Sequence, residues 1–520
     1  MTAATFTHFH FCGGSGGAAI GMSQSSARVG NFEGKAECIG GVDNDPAACR
    51  DFERLVGVKQ ACQDLFDRSQ YEDFHGKVAP ESWREVGVDD IRRAAGGRSP
   101  DIVVISAPCK GLSKLLSAKR ASTPKYRALN RLVLRCVHLA LTAWEDDPPS
   151  LFLIENVPAI STRGRALLDQ VQSLFFHAGY ASRETTHCAG EIGNLGQRRK
   201  RFLMVARHRE KVPALLYEPP RRSLRSIGEI LTPMPAPGAD AGGPMHRLPN
   251  LSPLTWLRLG LIPAGKDWRA ITHLDIGAVL LQPPAGAPIR AADWLRSAPP
   301  IGRARDWNAG PLGVLRRNEP AGTVTGNARA TTGAFSVADK PPAFNNIMRI
   351  ASWAEPAPCI TGGRLPASGG VSVGDPRVDW ANAGHYGILP WNRPAPCVTG
   401  AASVDNGKSS IADPREAVRI GEAILISPDA TWHRPLTTLE MAALQGFPWQ
   451  DAAGLPLVLD GRSRAKWQER TGNAIPPPAA RAIGNEMVRT LLMSKLGQTF
   501  ALSSTDQWVR PVAIALALPY

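Results

Sequence analysis

From the N-terminus to about Arg207, short runs of β-branched residues alternate with stretches in which apolar residues recur every three or four positions. That alternation predicts a doubly wound α/β sheet. Residues 36–42, 102–106, 151–155 and 202–206 read as strands, and 45–56 and 126–144 between them as helices. In such a sheet, ligands collect at the carboxyl ends of the strands. After Arg207 the texture changes to Pro, Gly, Trp and short strands, and this continues to about His433. A separate, mainly β or irregular domain is expected there. From Arg434 to about Met493 the helical period returns. The order implies an α/β lobe over 1–212, an inserted domain over 213–433, a segment over 434–495 that completes the lobe, and a tail over 496–520.

Within the insert one phrase occurs three times, as Pro320-Ala-Gly-Thr-Val-Thr-Gly326, Pro356-Ala-Pro-Cys-Ile-Thr-Gly362 and Pro394-Ala-Pro-Cys-Val-Thr-Gly400. Successive copies are 36 and 38 residues apart, and the last two are followed by Asp-Pro-Arg. A structural turn-plus-strand repeat and a duplicated recognition element both account for the pattern.

Composition narrows the class of partner. With 60 Lys+Arg against 46 Asp+Glu, the chain of 520 residues carries a formal charge of +14, which favours a polyanion such as nucleic acid. The nine cysteines are scattered and never spaced Cys-x-x-Cys, so neither a disulfide framework nor a zinc ribbon is indicated, and no metal is expected. The start, Met1 to His10, lacks the pattern of a signal peptide, and the apolar stretch 509–519 is too short to span a bilayer. A cytoplasmic protein, off the membrane and monomeric, is expected.

The candidate chemistry sits at strand ends. Phe11-Cys-Gly-Gly-Ser-Gly-Gly17 precedes a helix over 18–22, and its glycines allow a cofactor to approach the backbone. A strand ends at Asp43, placed to bind two ribose hydroxyls, and Asp64 ends the next element. These features suit a dinucleotide equally well, so they do not choose the cofactor. Cys109 follows a strand directly, in Pro108-Cys-Lys-Gly111, where Lys110 and a helix start favour the reactive thiolate. Glu155-Asn-Val-Pro158 brings a carboxylate to the same edge, and the basic run Gln197-Arg-Arg-Lys-Arg201 leads into the last strand.

In this order the motifs resemble those of the C5-cytosine-specific DNA methyltransferases. The Gly cluster, Pro108-Cys109, Glu155-Asn-Val157 and Gln197-x-Arg199-x-Arg201 each match a family motif. So do Arg434-x-Leu-Thr-x-x-Glu440 with Leu444-Gln-Gly-Phe-Pro448, and Gly472-Asn-Ala-Ile-Pro-Pro477. The resemblance covers the first ~210 residues and the last ~90. It implies a Rossmann-like lobe with S-adenosylmethionine held by Gly14, Gly16, Gly17, Asp43, Asp64, Pro108, Asn473 and Ala474. Either Phe11 or Cys12 takes the place of the family's cofactor-stacking Phe, because the Gly loop is one residue longer than usual. Cys109 is implied as the nucleophile toward cytosine C6, Glu155 as the group at N3, and Arg199 or Arg201 as the group at O2. Asn156, Val157, Gln197 and Arg434 are placed near substrate or DNA. The insert becomes a target recognition domain that delivers a flipped base from double-stranded DNA. Such enzymes guard host or phage DNA, some beside a restriction endonuclease. The alternatives are a tRNA cytosine methyltransferase, from which the long insert differs, and a non-catalytic DNA-binding regulator.

Overall fold

A computed structural model describes residues 2–108, 110–112, 123–214, 218–249, 388–398, 400, 410–413 and 432–497, together with short strands between 280 and 426. Its largest element is an eight-stranded sheet in the order β2-β3-β1-β5-β6-β8-β7, with β4 against β3. The strands are β1 (Thr2–Phe11), β2 (Ser26–Val29), β3 (Phe32–Asp43), β4 (Gln60–Cys62), β5 (Ile102–Ile105), β6 (Leu151–Asn156), β7 (Tyr180–Cys188) and β8 (Lys200–His208). β1 runs parallel to β3 and β5, and β5 parallel to β6; β8 then pairs antiparallel with both β6 and β7.

The central strands are buried on both faces, which is why β5 reads Ile-Val-Val-Ile without alternation. One face packs Phe9, Phe11, Val103, Phe152 and Met204 against α5 (Pro124–Ala143) and α6 (Arg165–His177). The other packs Phe6, Val104, Leu153 and Val205 against α1 (Gly17–Ser23) and α9 (Pro477–Lys495). The end of the chain thus returns to the first helix. α2 (Pro46–Val56) starts where Asp45 accepts the Ala47 N–H at 3.0 Å and Pro46 fixes the first turn, and it stops at Gly57 with φ +79°. Short helices α3 (Arg68–His75) and α4 (Val88–Ala94) lead on to β5, and α7 (Thr438–Leu444) and α8 (Arg464–Asn473) precede α9.

Two compact units divide the chain, residues 1–274 with 384–520, and residues 275–383. The second contains two parallel strand pairs, β9 (Val314–Arg316) with β10 (Ser336–Ala338), and β11 (Ile350–Ser352) with β12 (Ser372–Gly374). In the first unit, β13 (Ile388–Pro390) pairs in the same way with β14 (Ser410–Asp413), which also pairs antiparallel with β15 (Trp432–Pro435). Each copy of the repeated phrase falls between the two strands of one such pair. The repeat is therefore a strand–phrase–strand unit, and its third copy shares a compact unit with the large sheet. No helix among the described residues is long and apolar enough to cross a membrane.

Candidate active site

The loop after β1 is built on backbone conformations that side chains resist. Cys12, Gly14 and Gly16 have φ of +53°, +55° and +88°. The Gly14 N–H donates to Asp43 Oδ2 at 2.9 Å, and Gln60 Nε2 donates to the Gly14 carbonyl at 3.1 Å. A Cβ on Gly16 would stand 2.7 Å from Val56, and one on Gly17 would stand 2.5 Å from the Ile475 carbonyl. Gly16 thus lets α2 approach the loop, and Gly17 lets the segment 474–475 close onto it. A Gly17→Ala protein is expected to lose about 1–3 kcal/mol of stability, the usual result of overpacking, with the loss read by denaturant titration.

Between loop and segment lies a cleft of about 690 Å³, lined by Cys12, Gly14, Asp43, Asp64, Pro108, Asn473 and Ala474 among others. These sequence candidates are brought together. Asp64 Oδ1 accepts the Phe66 N–H at 3.1 Å, which fixes its turn. Burial pushes the Asp43 carboxyl up from its ordinary value, while the N–H groups of Asp45, Gly14 and Asn44 pull it back. Phe11 is placed differently. It is fully buried, edge-on to Phe9 and Trp144, because β1 turns Phe9 and Phe11 to the same core face; Cys12 is the one at the cleft. The neighbouring Cys136 thiol, and then burial, push the Cys12 thiol up, so it stays protonated.

Pro108 lies on this cleft and Cys109 follows it, outside the described residues. Glu155 sits at the end of β6, opposite Leu203 of β8, with its Oε1 2.8 Å from Arg201 Nε. Among the described residues that buried oxygen has no aligned hydrogen bond, so charge alone holds it. Asn156 is buried and its Oδ1 accepts the Val157 N–H at 2.8 Å; it shapes the turn behind Glu155.

The two arginines separate. Arg199 is buried and donates to the carbonyls of Val398 (2.8 Å), Gly472 (2.9 Å) and Ala474 (3.0 Å). Burial, with the Arg201 charge beside it, pushes its pKa down to about 10, so it remains a cation at neutral pH. Arg199 is a brace under the 472–474 segment, and Arg201 is the arginine at Glu155. Gln197, expected near substrate, is instead buried in the frame: it donates to the Leu444 carbonyl (3.1 Å) and Gln445 (2.9 Å), and accepts the Val398 N–H (3.0 Å). Arg434, also expected near DNA, is fully buried in a bidentate pair with Glu440 at 2.7 and 2.8 Å. Both residues need strong partners because neither reaches water.

One site residue went unseen in the sequence. Cys397, in the third copy of the phrase, lies 3.4 Å from Arg199 and 3.7 Å from Arg201. Burial alone would raise its thiol, but the two arginines outweigh that and hold it below its ordinary value. A Cys at the same place in the second copy was the available signal.

No curated protein matches the chain. Among solved structures, it is similar to Entamoeba histolytica methyltransferase EhMeth, with 11% identity over 95% of this chain and 99% of that one and a TM-score of 0.46. It is also similar to a protein described as a DNA modification methyltransferase encoded within prophage Cp of E. coli (13%, 94% and 99%, TM-score 0.43) and to S. pombe Dnmt2 methyltransferase (12%, 95% and 99%, TM-score 0.42). Residues 6–232 match the C-5 cytosine-specific DNA methylase family, the one to which the four motifs in that span had pointed.

Proposed function

We propose that the chain is a DNA (cytosine-5-)-methyltransferase that transfers a methyl group from S-adenosylmethionine to carbon 5 of a flipped cytosine in double-stranded DNA. The observation that carries this reading is Glu155: a buried carboxylate oxygen at the end of β6, paired with Arg201 and, among the described residues, without a hydrogen bond, one strand over from β5, which leads to Pro108 on the cleft. Once protonated, such a carboxyl can donate to N3 of cytosine while its other oxygen accepts from the exocyclic amine.

The residues of the cleft fit the cofactor that the family implies. Its volume is in the ordinary range for such ligands, Asp43 faces it as a ribose acceptor, and the Gly loop leaves the backbone open. Asp43, Asp64, Cys12, Asn473 and Ala474 would hold it. Bound there, S-adenosylmethionine supplies an electrophilic methyl group. The chain supplies the rest. A bond from Cys109 Sγ to cytosine C6 pushes an electron pair toward N3 and C5, which makes C5 nucleophilic. Glu155, as the carboxylic acid, gives its proton toward N3 as charge develops there, and Arg201 keeps Glu155 in place and offers its own charge toward O2. Once C5 carries the methyl group, water takes the C5 proton, the C–H pair forms the C5–C6 double bond, and the S–C6 bond breaks to free the thiolate.

An Asp43→Ala protein loses the acceptor of the Gly14, Asn44 and Asp45 N–H groups as well as the ribose contact. S-adenosylmethionine should bind it roughly 10- to 100-fold more weakly by calorimetry, as the loss of a buried hydrogen-bonded acceptor implies. Substrate is decided by incubating the purified chain with labelled S-adenosylmethionine and either double-stranded DNA or tRNA. Label in DNA is expected; label in tRNA alone would overturn the DNA reading.

The insert 213–433 is the proposed target recognition region, and its repeats invite the reading that it recognises more than one sequence. The role would be protection of host or phage DNA, with or without a partner nuclease. Bisulfite sequencing of a host expressing the chain reads the recognised sites. Deletion of one repeat should remove some of them; an unchanged set would leave the repeats a structural device.

A further inference from the structure

One buried cluster takes no part in the cleft. β1 alternates, so Phe9 and Phe11 face one core while His8 and His10 face the other side of the sheet. His8 lies opposite Cys38 of the parallel strand β3, and the register slips immediately after, with Phe9 opposite Gly40. Such a slip re-aims side chains locally. One ring nitrogen from each histidine and the Cys38 sulfur lie within 4.8 Å of one another, and all three residues are buried. His8 Nδ1 and His10 Nε2 face each other at 2.8 Å, and Ser23 Oγ is 3.4 Å from the other nitrogen of His8.

We propose that His8, His10 and Cys38 form a zinc site of three protein ligands, with water completing the tetrahedron, that clips β1 to β3. The donor set decides the metal. Two imidazoles and a thiolate are the borderline-to-soft ligands that zinc takes, and the cluster offers no carboxylate for magnesium or calcium. With Zn–N of ~2.05 Å and Zn–S of ~2.3 Å, tetrahedral edges are about 3.3 Å between nitrogens and about 3.6 Å from nitrogen to sulfur. The 2.8 Å between imidazole nitrogens and the 4.8 Å limit on the whole set bracket those edges, so shifts of at most about 1.2 Å close the site. Ser23 on α1 acts as the outer partner that orients a ligating ring.

Protonation states agree with this geometry. Burial holds both imidazoles neutral, His10 down to about 3, so each has a lone pair to give. Burial raises the Cys38 thiol to about 11, so binding converts S–H to S–Zn and releases one proton to solvent. Without a metal, two neutral histidines share a single hydrogen bond and the thiol is an ordinary buried hydrophobe. The experiment separates these two states.

The full-length protein is stripped with a chelator and titrated first with Zn²⁺, with metal content measured, and then, in a fresh sample, with Co²⁺. One zinc per chain and an intense thiolate-to-cobalt charge-transfer band are expected. In Cys38→Ser the band should vanish and affinity fall at least tenfold, whereas Cys62→Ser, which alters an exposed cysteine, should keep both. A native chain that takes up neither metal overturns the proposal, as does a Cys38→Ser protein with an undiminished band. If Cys38→Ser does not fold, His10→Gln should lose the same affinity, and the native titration stands by itself. None of these readouts depends on methyl transfer.

Discussion

A Cys109→Ala protein is expected to transfer no methyl group above background and to form no covalent adduct with DNA containing 5-fluorocytosine, on which the parent should be trapped. Removal of an attacking nucleophile typically costs at least roughly 10⁴-fold in turnover. Glu155→Gln should be milder, about 10²–10⁴-fold, because it removes acid–base catalysis and leaves attack at C6 available. The structure adds a control that the sequence did not suggest. Cys397 is a second thiol at this edge, held below its ordinary pKa by Arg199 and Arg201, and Arg201 also pairs with Glu155. Cys397→Ala should therefore retain the trapped adduct. If it lost the adduct while Cys109→Ala kept it, the nucleophile would be Cys397 and the motif assignment would be wrong. Denatured-gel mobility of the protein–DNA adduct reads all three variants directly.

The parts of this molecule that were legible in sequence are those where a single local rule decides. β5 and β6 are continuous apolar runs because both faces are covered, and the predicted helix over 45–56 is marked by Asp45, Pro46 and Gly57. β1 was missed for a physical reason. Its inward positions alternate Phe with His, and a histidine at a core position hides the period of a buried strand until its partners are known. β7, an edge strand buried only at Tyr180 and His187, lacks the apolar run as well. The cleft residues were readable because glycines and strand-end carboxylates have few other uses. What the sequence could not distinguish was which polar residues face the cleft and which brace its frame. Arg199 and Arg201 are two residues apart in one motif, yet one holds three backbone carbonyls and the other pairs with Glu155. Period 2 along a strand puts them on one side of the chain, and only long-range partners, Val398 and Gly472, separate their roles. Gln197 and Arg434 were misplaced in the same way, since their partners lie in segments that sequence alone cannot bring together.

Arg434→Ala should destabilise the protein by about 3–5 kcal/mol, the typical result of leaving one partner of a buried ion pair alone. For a unit of this size that corresponds to a fall in melting temperature of roughly 5 °C. Both side chains are fully buried, and Glu440 also accepts the Thr437 N–H at 2.8 Å within a capping box at the start of α7. The partner left behind is then a fully buried carboxylate that has lost its bidentate cation and keeps only the weaker fields of His246 and Arg464 beside the Thr437 N–H. Burial alone would raise the Glu440 pKa, but the Arg434 charge and its hydrogen bonds outweigh it, so the folded value lies below the ordinary 4.5. The sign follows from that depression. The pair contributes fully above the unfolded pKa near 4.5, and its contribution fades as pH falls through the lower folded value. The parent should therefore lose stability with acid more steeply than Arg434→Ala, and the two unfolding curves should converge at low pH. A double variant, Arg434→Met with Glu440→Leu, should be damaged less than either single variant, because no buried charge is left unpaired. If Arg434 instead contacted DNA, Arg434→Ala would weaken DNA binding while leaving the melting temperature unchanged. Thermal unfolding measured against pH, beside a DNA-binding titration at one salt concentration, separates the two roles.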